Sequence, residues 1–86
     1  MNSEREECIS VIKYLAKLCR DYKDYPEIIK GYKEVFLTLI YELDFLPPYV
    51  YSDYHSFVKY DKDNLPVSIT VRNSDGEIIE TIDLLK

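Results

Sequence analysis

Apolar residues recur every three or four positions through the first half of the chain and every two positions through most of the second. Between residues 3 and 23 they are Cys8, Val11, Ile12, Leu15, Leu18, Cys19 and Tyr22, which share one face of an α-helix. Ser3 and Glu6 stand in capping-box spacing at its start. The stretch DYKDYPE then interrupts the pattern, with Asp24 three residues before Glu27 and Pro26 suited to a first helical turn. A second helix is predicted over about 26–45 on Ile28, Ile29, Tyr32, Val35, Phe36, Leu39, Ile40 and Leu43. Pro47 and Pro48 end it, because proline lacks the N–H that would continue the ladder. So short a link between helices implies an antiparallel hairpin. Gly31 within the second helix costs ~1 kcal/mol relative to alanine, and the expectation is that another backbone approaches it closely.

Beyond the prolines the period becomes two. Tyr54, Ser56, Val58 and Tyr60 alternate with His55, Phe57 and Lys59, and Val67, Ile69 and Val71 alternate with Ser68, Thr70 and Arg72. DKDNLP and NSDG are turns, so strands are predicted at about 54–60, 66–72 and 77–83, forming an antiparallel meander. In NSDG, a type I turn with Gly76 in the left-handed bulge position sets Asn73 opposite Glu77. Counting outward from that pair places Val71 with Ile79 and Ile69 with Thr81 on the inner face. Arg72 then meets Ile78, Thr70 meets Glu80 and Ser68 meets Ile82 on the outer face. The alternative register, which turns Glu80 inward beside Val71, is rejected for its carboxylate. The fold class is therefore α+β, one domain over 1–86, with a two-helix hairpin packed on a three-stranded sheet.

Charge narrows the functional classes. Sixteen Asp and Glu against eleven Lys and Arg give a net charge of −5, and the excess acid is spread over both halves. A nucleic-acid binder needs a basic footprint to displace counterions, so nucleic acid is not an expected partner. The alternative is a winged-helix-like regulator using Lys13, Lys17, Arg20, Lys30 and Lys33, and it requires the two helices to present one basic side. There is no apolar run of membrane-spanning length and no basic leader, so no membrane partner is expected and the chain reads as cytoplasmic. Cys8 and Cys19 lie ~16 Å apart along one helix face, too far to bridge, and are expected as buried, reduced thiols. They fit a reducing compartment.

Candidate chemistry is sparse. DKDNLP begins like a calcium loop, but Leu65 and Pro66 stand where an oxygen ligand and a hinge glycine are needed. Cys8, Cys19 and His55 lack the paired spacing of a zinc site, and Gly31 and Gly76 alone cannot make a phosphate loop. No catalytic, metal or cofactor residues are assigned. A pocket around His55 is the remaining route to an enzyme or ligand carrier, and His55 has no specific partner in sequence. The expected function is a small protein-interaction module, an adaptor, regulator or inhibitor, with a protein partner or a second copy of itself. Small acidic chains of this kind are frequent among viruses and mobile elements, an association without a physical reason. The expected interface is Tyr49, Tyr51, Tyr54, Phe57, Ile78 and Ile82, where tyrosines gather beside apolar residues on the outer sheet face.

Overall fold

Each helical pattern closes into a helix, α1 over Ser3–Asp21 and α2 over Pro26–Leu43. The computed structural model describes residues 3–46 and 53–85, the side chain of Ser3 excepted, so the capping box expected there lies outside the described groups. α2 opens on Pro26, whose fixed φ suits a first turn. Its cap position belongs to Tyr25, which makes no side-chain cap bond, so Asp24 does not play the part its spacing predicts. The Tyr25 N–H donates to the Tyr22 carbonyl at 2.9 Å, and this tight turn reverses the chain. Cys8, early in α1, then donates to the carbonyl of Leu39, late in α2, at 3.6 Å. Cys19 packs with Ile29 at the other end, so the hairpin is antiparallel.

The alternating segments form β1 (Tyr54–Tyr60), β2 (Pro66–Asn73) and β3 (Ile78–Asp83), in the antiparallel order β1-β2-β3. In β1, Tyr54, Ser56 and Val58 are half-buried while His55, Phe57 and Lys59 are exposed, as the period of two dictates. The β2–β3 turn is the expected one. Asn73 N–H donates to the Glu77 carbonyl and Gly76 N–H to the Asn73 carbonyl, both at 3.0 Å, and Gly76 takes φ +84°. Arg72 faces Ile78, also as expected.

One residue later the register departs from the expectation. Ile79 is an extra, unpaired residue in β3, and beyond it Val71 faces Glu80, Thr70 faces Thr81, Ile69 faces Ile82 and Ser68 faces Asp83. The pairings Val71–Ile79, Ile69–Thr81, Thr70–Glu80 and Ser68–Ile82 are thereby corrected. Ile82, expected on the outer face, is 8% exposed in the core beside Ile69, and Leu84 follows it inward at 4%. The physical reason is a balance of burial. The straight register aims Thr81 and Asp83 at the helices, whereas the bulge aims Ile82 and Leu84 there, each worth ~1.5–3 kcal/mol when removed from water. Its cost is the Glu80 carboxylate turned inward, and Arg5 of α1 meets that carboxylate with a 2.6 Å ion pair.

The core joins Ile12, Leu15 and Ala16 of α1 with Phe36, Ile40 and Leu43 of α2 and Ile69, Ile82 and Leu84 of the sheet. A smaller cluster of Cys19, Ile29 and Leu65 closes the hairpin end, and Tyr32 packs against both. Gly31 is exposed, and a side chain added there meets nothing within 4 Å, so the close backbone approach expected of it is absent from the fold. Among the described residues no helix is long and apolar enough to cross a membrane.

Candidate functional site

Of the residues expected to form one interface, those described do not come together. Tyr49 and Tyr51 lie outside the described residues, Tyr54 is half-buried opposite Asn73, and Ile82 is in the core. Phe57 and Ile78 do face solvent, 52% and 56% exposed. Yet they sit on opposite edge strands, in the neighbouring rows Phe57–Thr70–Thr81 and His55–Arg72–Ile78. Polar groups of β2 separate them. The outer sheet face is a mixed surface with two apolar points.

The other candidate groups are dispersed or engaged. Lys17 pairs with Asp21 at 2.9 Å, Arg20 donates to the Pro66 carbonyl at 3.1 Å, and Lys33 donates to the Asn64 carbonyl at 2.9 Å. These three of the five basic candidates serve the fold. His55 is exposed on the outer sheet face, away from the open cleft of about 640 Å³ that lies between the start of α2 and the β1–β2 loop. Lys23, Lys30 and Lys33 line that cleft together with Asp24, Glu34 and Asp63, so it offers no net charge to a ligand. The loop itself is held by Asp61, whose Oδ1 accepts from the N–H groups of Asp63 at 2.9 Å and Leu65 at 3.0 Å. The Leu65 hydrogen bond leads in holding this carboxyl below the ordinary aspartate range. Asn64 beside it takes φ +61°, a conformation asparagine tolerates.

Both thiols are free, Cys19 buried and Cys8 half-buried, and burial pushes each above the usual thiol range. Their protonated form is favoured, which opposes reactivity. Among the described residues no three His, Cys, Asp or Glu side chains converge as metal ligands.

Exposed apolar surface lies elsewhere: one stripe of Leu37, Tyr41 and Phe45 runs along and just past α2, with the last two ring centroids 5.1 Å apart, and another, which spans both helices, lies on the side of the hairpin turned away from the sheet. Val11 and Leu18 are seven residues apart in α1, and Ile28 and Val35 seven apart in α2. Each pair lies about 100° round its helix from the buried line, through Ile12 and Cys19 in α1 and through Ile29 and Phe36 in α2. Sheet-directed contacts leave from the opposite flank, where Arg5 reaches Glu80, Arg20 reaches Pro66 and Lys33 reaches Asn64. Val11 is 47%, Val35 51% and Ile28 42% exposed, and Leu18 is half-buried. Tyr14 adds an exposed ring beside them. Tyr22 closes the loop end of the seam with its ring centroid 6.2 Å from those of both Tyr25 and Tyr32. The same heptad lines continue to Glu4 before Val11 and to Glu42 after Val35, both exposed, and antiparallel packing brings these carboxylates to one end.

In the sequence, Val11, Ile28 and Val35 read as part of the apolar faces of the two helices. The available signal was width: an apolar face broader than a single contact stripe has to leave one flank uncovered when each helix meets one neighbour and one sheet. Arg5 was also missed, although it stands one heptad before Ile12 on the buried line. In comparisons with protein families, curated proteins and solved structures, nothing matches this chain.

Proposed function

We propose that the protein is a non-catalytic protein-interaction module, an adaptor, regulator or inhibitor that works by covering a surface of another protein. The observation that supports this reading is the solvent-facing seam of the hairpin, where Val11, Ile28 and Val35 are exposed beside Leu18, which is half-buried against the core. Exposed contiguous apolar surface on a small domain marks an interaction site more often than it serves the isolated fold. The homodimer expected from the sequence drew on Ile78 and Ile82 together, and burial of Ile82 removes half of that pair. A heterologous partner is the reading adopted. Gel filtration of the chain at native abundance in an extract of its host, beside the purified chain, tests it. Elution of the native chain well above the monomer mass, with the purified chain at the monomer mass, is expected. Monomeric elution in both overturns the reading.

A further inference from the structure

We infer that the open seam of the hairpin takes a cationic amphipathic helix of the partner protein, an inference that rests on the interaction reading above and names its surface and its chemistry. The seam has an apolar centre, with Val11 and Leu18 on one side and Ile28 and Val35 on the other. A third helix laid along two antiparallel ones fills such a groove with residues at heptad spacing. Gly31 lies on this same side of α2, with open space where a side chain would be, and lets a third backbone approach closely.

Charge selects among occupants. Glu4, Glu7 and Glu42 are exposed at one end of the seam, the end at which Cys8 donates to the Leu39 carbonyl. No Lys or Arg stands on the two heptad lines Glu4–Val11–Leu18 and Ile28–Val35–Glu42. Lysine or arginine at the matching end of the incoming helix answers these carboxylates and fixes its direction. A second copy is a poor occupant. The opposite end carries Asp21, Asp24 and Glu27 against Lys17, already paired to Asp21, and Lys23, while Arg20 and Lys30 are turned to Pro66 and to the cleft beside the β1–β2 loop, so neither orientation brings an excess of positive charge onto the seam. An anionic membrane surface is repelled for the same reason.

The test is site-specific photo-crosslinking of the full chain in its host. A benzophenone amino acid replaces Val35 in one variant and Phe57, on the outer sheet face, in another, and the captured peptides are sequenced. Capture at Val35 of another protein's segment with apolar residues at heptad spacing and an excess of Lys and Arg is the expected result. Gly31→Arg, which keeps a good helix former and meets nothing inside the fold, adds bulk and like charge. It should lower that capture about tenfold, the scale of one lost hot spot. Capture of this same chain at Val35, or of an acidic segment, overturns the inference. Capture only at Phe57 overturns the seam while leaving the interaction reading intact. No capture at either position overturns both.

Discussion

Glu80 turns toward the helices because Arg5 is there to receive it, and the two residues stand 75 positions apart in the chain. Removing one partner of such a pair takes its opposite charge away from the other. Arg5 is 5% exposed and Glu80 36%, so water still reaches the carboxylate and the penalty falls below that of a fully enclosed pair. Arg5→Met is expected to cost about 2–4 kcal/mol in urea unfolding, and Arg5→Met with Glu80→Val to recover most of it. Equal losses in the single and double variants would show that the pair is not coupled. Asp61 makes a prediction in pH. Its carboxyl is held below the ordinary range chiefly by the Leu65 N–H, so its stabilisation is complete above the unfolded value of about 3.9 and is lost as pH falls through the lower folded value. Asp61→Asn keeps an acceptor oxygen without the charge. Its stability deficit should hold constant above about pH 5 and vanish in acid, and a deficit that persists there would contradict this account.

At the scale of elements, β3 carries the sharpest test of the register. Ile82→Ala removes a core side chain and should cost about 2–4 kcal/mol, whereas Ile78→Ala, at an exposed position, should stay within about 0.5 kcal/mol. Comparable effects at the two sites would restore the straight register. In α2, Gly31→Ala meets no neighbour and should raise stability by about 0.5–1 kcal/mol in thermal unfolding, and any loss would mean a close contact at that position. The helices, the strands and the NSDG turn were legible because their causes are local: periodicity, proline, and an Asn73 side chain whose Oδ1 accepts from Asp75 and Glu77 N–H. The bulge at Ile79 was not legible, since it is decided by Ile82 and Leu84 reaching the core and by an arginine at the far end of the chain. The seam was half legible. Val11, Ile28 and Val35 were read as apolar face, but periodicity cannot say which part of a wide face the rest of the molecule covers.

For the whole molecule, eighty-six residues place the chain near the size at which one core is only marginally sufficient. Such a chain nonetheless leaves Val11, Ile28 and Val35 at the surface, and a partner that covers them gains apolar burial the monomer forgoes. In the proposed complex the acidic residues flanking the seam set the sign of the partner, and among the described residues the outer sheet face, with Phe57 and Ile78 held apart by β2, offers no comparable surface. The most direct measurement is elution of Val11→Lys with Val35→Lys from host extract, taken together with its melting temperature. The variant is expected to melt within a few degrees of the parent chain, because both positions are open to solvent, and to elute at the monomer mass. A double variant that keeps its fold and still elutes with the native complex would contradict the assignment of the hairpin seam as the binding surface.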